Sequence, residues 1–411
     1  MKYVSIGRQP ILDSNSNLCS YEILYDDAHT ESTRYTSSSI ISSVLNKFGT
    51  HALLGGRRAF VKIDEKFLLH DIIFSVPGEF FIFSVLASIE MSERVVERIE
   101  KLHAKGYFLC IENLALTDET IQQYKTVFNK LKFVKVNIEN SEPLNTKGLI
   151  RNLKSTGITV VADNIDSYEE YEKAKNLGCD WFQGYFFSEP KILENAKYEP
   201  SQMAVLTLYN LLMQDTDIAE ITKEFEANHE ISLQLLQFIN SGAFHFKNKI
   251  SSIHHILTLV GRIPLGQWLM LMIYSKLVSK SGDGKSPLML MVKNRTELMQ
   301  NILKAIDPKA GKSILGEAYF VGVLSLIDTI FGMKLDDILT HIDVTDNVMA
   351  ALLRDEGTLG EIFTLVRDIE SFNMASRIKF EKKYNLEEGL MEKVIIQSMK
   401  DVNKFENPVR Q

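Results

Sequence analysis

Phe80-Phe81-Ile82-Phe83-Ser84-Val85-Leu86, then residues 92–106 (SERVVERIEKLHAKG), then Phe108-Leu109-Cys110-Ile111-Glu112 follow one another closely in the chain. The first and last are short aromatic and β-branched runs suited to strands. Between them Val95, Ile99 and Leu102 recur at helical spacing, with Ser92 placed as N-cap and Gly106 as C′. The stretch therefore reads as strand, helix, strand, the rhythm of a βα unit.

Working outward, the same rhythm holds from residue 3 to about 190. Strands are predicted at 3–6, 20–25, 59–63, 80–86, 108–112, 133–136, 159–162 and 181–184. Eight strands in so short a span predict a small, TIM-like (β/α)8 barrel, whose chemistry belongs at the C-terminal strand ends. A doubly wound open sheet is the competing architecture, but no GxGxxG follows an early strand. After Pro190 and Pro200 the apolar positions recur at helical spacing with no convincing strand, so the second half reads as all-α. The predicted fold is α/β plus all-α, with a barrel over residues 1–197 and a helical domain over 198–411. The Gly/Ser/Pro cluster at 281–287 is predicted as a loop inside the latter.

Composition agrees with two domains. The chain has 411 residues, and single cores stop growing near about 250–300. Apolar residues make up 45% and charged residues 24%, which argues against wholesale disorder. With a formal charge of −7 and no basic run longer than Arg57-Arg58, nothing matches a nucleic-acid backbone. Cys19, Cys110 and Cys179 are too scattered for a zinc ribbon or a disulfide framework. The N-terminus lacks a secretory pattern, and the apolar run 268–278 contains Lys276 and falls short of the roughly 20 residues of a membrane span. A cytoplasmic protein without a membrane span is expected.

Four segments carry a family resemblance. Gln9-Pro10-Ile11, Ser20-Tyr21-Glu22-Ile23-Leu24, Phe133-Val134-Lys135-Val136-Asn137 and Phe182-Gln183-Gly184-Tyr185-Phe186-Phe187 with Pro190 resemble, in order and spacing, the EAL domain family of cyclic di-GMP phosphodiesterases. The resemblance implies oxygen ligands converging on Mg²⁺ or Mn²⁺, which generates hydroxide. By the same resemblance Glu22 matches the first metal ligand, Lys135 the catalytic lysine and Gln183 the late site glutamine. Elsewhere the chain departs from the pattern. Lys62 falls on the family's metal-binding asparagine, Ser84 on its second glutamate and Glu112-Asn113 on its aspartate pair. Asp163 and Asp166 fall in its AExVE segment, and Asp26 replaces an arginine that helps hold a nucleotide phosphate.

Lys62 bears most on activity. An ammonium about 4 Å from a divalent ion is repelled by roughly 8 kcal/mol at an effective dielectric of about 20. Two arrangements are open: the ammonium fills part of the metal space and pairs with Glu22 or Glu112, or Lys62 points outward into solvent. Strand alternation puts Phe60 and Lys62 on one face, opposite Val61 and Ile63.

The second half resembles the HDOD domain, a helical relative of HD phosphohydrolases. The resemblance is carried by Leu235-Leu236, Asn240-Ser241-Gly242-Ala243-Phe244, Ile250-Ser251-Ser252-Ile253, Val260-Gly261, Trp268 and the segments 318–328 and 351–357. The histidine-aspartate pair that would bind metal falls on Ser325-Leu326, so hydrolase chemistry is not expected there. His254-His255 point about 100° apart on a helix, one expected in solvent and one at the core edge. Asn240-Ser241 with Gly242 is read as a helix end, and Met270, Met272, Met289, Met291 and Met299 as core.

Together these readings predict a non-catalytic bacterial signal-transduction protein that acts through protein–protein contact, with no metal, no cofactor and no nucleic-acid partner. A homodimer is possible, and cyclic di-GMP binding is expected to be weak or absent. Two alternatives stay open: a cyclic di-GMP receptor that binds without cleaving, and a residual phosphodiesterase using Glu22, Glu112, Asp163 and Lys135.

Overall fold

The computed structural model describes residues 5–26, 41–42, 44–45, 49–138, 146–188, 200–214, 216–239, 252–275, 287–340, 342 and 344–406. Eight strands close a barrel in chain order: β1 (Ser5–Asp13), β2 (Leu18–Asp26), β3 (Ala59–Ile63), β4 (Phe81–Leu86), β5 (Phe108–Leu114), β6 (Phe133–Asn137), β7 (Thr159–Asp163) and β8 (Trp181–Gln183). Every predicted strand is matched, with β1 reaching farther along the chain than expected.

One refinement concerns β1, which runs antiparallel to both β2 and β8. A hairpin joins it to β2. The Asp13 carboxylate accepts the amides of Asn15 and Asn17 at 2.8 Å each, and Ser16 takes φ +61°. Parallel neighbours need a crossover of about a dozen residues or more, and so short a link permits only the antiparallel pair. The remaining neighbours, β2 through β8, pair in parallel.

The helix Glu93–Ala104 buries Val95, Ile99 and Leu102 against the barrel wall. Ser92 occupies its N-cap position without a side-chain cap bond, and Gly106 ends it at φ +82°. The helix Tyr168–Leu177 starts on a capping box between Ser167 and Glu170.

Inside the barrel, Ile11, Phe60, Ile82, Cys110, Phe133 and Val161 form a buried layer, and the Phe60 and Phe133 rings meet edge-on at 5.1 Å. Alternation along a strand returns a side chain to the same face every second residue. Two residues beyond this layer stand Lys62, Ser84, Glu112, Lys135 and Asp163. They make the next layer toward the C-terminal strand ends.

Cα packing divides the chain into two compact units, one of residues 1–189, 283–287 and 367–411, the other of residues 190–282 and 288–366. Within the described residues, the segment 367–406, expected in the helical domain, packs with the barrel. There the Arg57 guanidinium grips Glu406 through two bonds of 2.8 and 2.6 Å, and Arg8 donates to Asn403 at 2.8 Å.

Every element of the second unit among its described residues is a helix. Met270, Met272, Met289 and Met299 are buried in it and Met291 is half-buried, in line with the core reading. No described helix is long and apolar enough to cross a membrane. Residues 240–251 and 276–286, and with them Asn240, Ser241, Gly242 and all of the predicted loop but Pro287, lie outside the described residues; Pro287 opens the helix Pro287–Ile306.

Candidate functional site

The site is a charge cluster in the layer above the apolar barrel core. Glu22 reaches it from β2, Lys62 from β3, Glu112 from β5 and Lys135 from β6. The Lys62 ammonium lies 3.3 Å from Glu22 Oε1 and 2.7 Å from Glu112 Oε1. Lys135, wholly buried, lies 3.1 Å from Glu22 Oε2 and 4.0 Å from Glu112 Oε2. Two carboxylates thus share two ammoniums in a ring. The Lys62 side chain is 49% exposed, so this residue stands at the mouth while Glu22 and Glu112 lie beneath it.

Gln183 closes the ring from β8. Its Nε2 donates to Gln9 Oε1 at 2.8 Å and to Glu22 Oε2. Gln183 holds this position because Ile165 N donates to its carbonyl at 2.9 Å, with Gly184 turning the chain at φ +145°. A Cβ at Gly184 would lie 1.9 Å from Ile165 O, so only glycine fits there.

Burial opposes charge throughout the cluster, and the lysines decide where charge remains. Burial alone pushes the Glu22 carboxyl up, but Lys135 and Lys62 outweigh it and hold Glu22 below the usual carboxylate range. Glu112 is pushed up by burial and by the Glu22 charge, against the pull of both lysines. Asp163, at the end of β7, is likewise raised by burial. Burial pulls both lysines down, and Glu22 with Glu112 more than restores them, so both are raised. Three carboxyls face two ammoniums, and the crowding of negative charge around Glu22 adds to burial in raising Glu112 and Asp163.

Comparison with known proteins matches residues 62–190 to the EAL domain family and residues 200–335 to the HDOD domain family. The chain carries an EAL domain followed by an HDOD domain. It is 24% identical to the uncharacterized protein YuxH of Bacillus subtilis, over 90% of this chain and 91% of that protein. It is 22% identical to the cyclic di-GMP phosphodiesterase CdgJ of Vibrio cholerae, over 88% of this chain and 83% of that protein. Among solved structures it resembles the EAL domain of Mycobacterium smegmatis DcpA, with 13% identity, a TM-score of 0.37, and coverage of 46% of this chain and 92% of that one.

In this EAL domain the residues expected at the site divide. Glu22, Lys62, Glu112, Lys135 and Gln183 converge, and of the two arrangements open for Lys62 the inward pairing is the one observed, with both carboxylates. Ser84 is fully buried, in register with Lys62 on one side and Cys110 on the other. Asp163 accepts the Asn164 amide at 2.9 Å and lies within electrostatic reach of both lysines. Asn113 turns at φ +60° into an open cleft of about 290 Å³ that it lines with Ser88 and Gln123. Asp166 stands apart from the cluster. Its carboxylate accepts the Tyr185 amide at 3.3 Å, which ties the loop after β7 to the end of β8. Asp26 ends β2, and its side chain lies outside the described residues.

The donor set suits a divalent cation poorly. The inner oxygens of Glu22 and Glu112 are already turned on ammoniums, and Ser84 brings a hydroxyl, not a carboxylate. Among the described residues no group of three or more His, Cys, Asp or Glu side chains is placed to share one ion. Sequence reasoning missed Gln9, which orients Gln183. The signal was available in Gln9-Pro10-Ile11, since an inward-facing glutamine on a barrel strand needs a polar partner.

In the HDOD domain Ser325 Oγ donates to Gly322 O at 2.8 Å and receives the buried Arg295 guanidinium at 3.0 Å, while Leu326 is buried. His254 and His255 are both exposed, so neither reaches the core edge. The helix Ile253–Val260 turns Ile253, Ile256 and Leu257 inward instead.

Proposed function

We propose that this EAL–HDOD protein is a non-catalytic component of a cyclic di-GMP signalling network that works by protein–protein contact. One observation carries the proposal: the Lys62 ammonium lies between Glu22 and Glu112. Hydrolysis by the family's chemistry requires hydroxide generated on a divalent ion, and this cation repels such an ion from those carboxylates. The anion Asp26 in place of a phosphate-holding arginine weakens the substrate side of the site as well. The barrel then serves as a docking or sensing body, and the HDOD domain, without a metal-binding histidine-aspartate pair, as the module that holds a protein partner. The relative CdgJ is named a cyclic di-GMP phosphodiesterase, which supports the network though not the lost step.

A second reading, a receptor or residual phosphodiesterase, is favoured by the survival of Glu22, Lys135 and Gln183 in mutual contact. Titration of the purified chain with cyclic di-GMP, with and without Mn²⁺, and assay of the same samples for linear dinucleotide decide between them. The proposal expects neither heat of binding nor product. Binding without product makes the protein a receptor, and Mn²⁺-dependent product abolished by Glu22→Ala makes it an enzyme.

A further inference from the structure

The HDOD domain leaves a cleft of about 260 Å³ that its own packing does not fill. The cleft lies wholly within the second unit, where the helix Lys312–Leu324 meets the helix Pro200–Met213 and the starts of the helices Arg262–Ser275 and Asp346–Arg354. Ser313, Gly316, Glu317 and Phe320 all line it, and their spacing of three, four and seven puts them on one helical face. Ser325-Leu326 follow the other end of this helix and stay outside the lining. At the inner end Tyr209 and Phe320, both buried, meet edge to face at 5.3 Å. Met213 and Val348 add apolar wall, and Ile263 stands at the rim with 45% of its surface exposed. Among the described residues Glu317 is the one charged side chain of the lining; it is half-buried, and Asn347 donates to its Oε2 at 3.3 Å.

Gly316 accounts for the room. A Cβ there would meet nothing nearer than Ile263 Cγ2 at 4.0 Å, whereas at Gly322 on the same helix it would strike the Thr296 backbone. Packing requires glycine at 322 but not at 316, and glycine inside a helix costs about 1 kcal/mol relative to alanine. What glycine contributes at 316 is open space above the aromatic pair.

We infer that the HDOD domain seats its protein partner in this cleft, through a segment that inserts one large apolar side chain and sets an arginine or lysine on Glu317. The volume of about 260 Å³ falls below the roughly 300–1,000 Å³ of sites for drug-sized ligands, so one or two side chains fill it. The exposed Ile263 and the aromatic inner end are surfaces that an apolar anchor would take out of water. Charge complementarity selects the neighbour of that anchor. A partner that covers the cleft strips water from the Glu317 carboxylate, which costs free energy unless a cation pairs with it, and a guanidinium can do so through two bonds. Seating a partner here rests on the proposed role of this domain as the module that holds one, and adds what that partner must carry.

The test uses the full chain and a displayed library of random short peptides. Selection on the wild type is expected to enrich peptides in which leucine, phenylalanine or methionine lies a few positions from arginine or lysine. One enriched peptide, made synthetically, is then titrated into purified variants by calorimetry. Gly316→Leu, which fills the cleft, is expected to weaken binding by about tenfold or more, the loss expected of a central anchor site. Its thermal midpoint, measured alongside, checks that it folds. Glu317→Lys, at a half-buried rim position, is expected to lose the peptide and to regain binding when the basic residue of the peptide is changed to glutamate, a rescue that needs no Gly316 variant. Three results would overturn the inference: no peptide is enriched, the enriched peptides lack a basic residue, or Gly316→Leu and Glu317→Lys bind the peptide as the wild type does. The last of these places the partner elsewhere on the chain and leaves the adaptor reading intact. Cyclic di-GMP turnover by the wild type would overturn the adaptor reading without moving any of these peptide affinities.

Discussion

Lys135, with no part of its side chain exposed, lies 3.1 Å from Glu22, itself almost fully buried. Glu22→Ala leaves the ammonium one ion pair, Glu112 at 4.0 Å, with the Asp163 charge in reach, and removal of one partner of a buried pair costs about 3–5 kcal/mol. Pairing it with Lys135→Met should recover some of that loss, because the stranded charge goes too. Urea denaturation of wild type, both single variants and the double variant measures the coupling. Additive losses would show that the two side chains do not depend on each other.

The same cluster sets a pH dependence. Glu112 and Asp163 titrate higher in the folded protein than in the unfolded chain, so the folded state binds more protons there. Their contribution is complete below the ordinary carboxylate range and declines as the pH climbs through the raised values. Glu22 has the opposite sign: its contribution is present above that range and is lost as the pH falls through its lowered value. Lys62 and Lys135, both raised, contribute fully below the ordinary lysine value of 10.5 and lose that contribution at more alkaline pH. Urea midpoints recorded across pH 4–8 (about the neutral-to-acid span of these groups) should decline less toward pH 8 in Glu112→Gln than in wild type. Parallel curves would contradict the elevated carboxyl.

Much of this was legible because a strand has only two faces. Once Phe60 is inside, Lys62 is inside, and the same count from Phe133 finds Lys135. Long-range partners were another matter. Gln9 and Gln183 bond across 174 positions, and nothing local in either segment names the other. The resemblance of residues 162–166 to the AExVE segment pairs Asp166 with Asp163, yet the left-handed Asn164 between them, at φ +58°, redirects the chain after β7 and leaves the Asp166 carboxylate accepting the Tyr185 amide. The return of segment 367–406 to the barrel was hidden for a similar reason. The helix Leu390–Glu406 is amphipathic, and an apolar stripe does not say whether it will meet a helix or a barrel wall.

That return makes a prediction of its own. Arg57 and Glu406, 349 positions apart, form a bidentate pair in which Glu406 is nearly buried. Glu406→Gln should destabilise the barrel unit by about 1.5–3 kcal/mol, the range for hydrogen bonds to charged groups. Hydrogen exchange should then quicken in the helix Thr50–Leu54, which packs against Leu390–Glu406. Faster exchange confined to the HDOD domain would place the segment elsewhere.

The HDOD domain offers a controlled pair on one helix, Lys312–Leu324. A Cβ at Gly322 would come within 2.7 Å of Thr296 Cα and 2.8 Å of Thr296 N, which are backbone atoms of the neighbouring helix Pro287–Ile306 and cannot rotate away. At Gly316 the nearest atom, Ile263 Cγ2, would be 4.0 Å away. Alanine at both positions gains the same helix propensity, about 1 kcal/mol over glycine. Gly316→Ala should therefore hold or raise the thermal midpoint, whereas Gly322→Ala must push the neighbouring helix away and should cost about 1–3 kcal/mol as overpacking does. Equal midpoints for the two variants would mean that the helices do not cross at Gly322, because propensity alone cannot tell these positions apart.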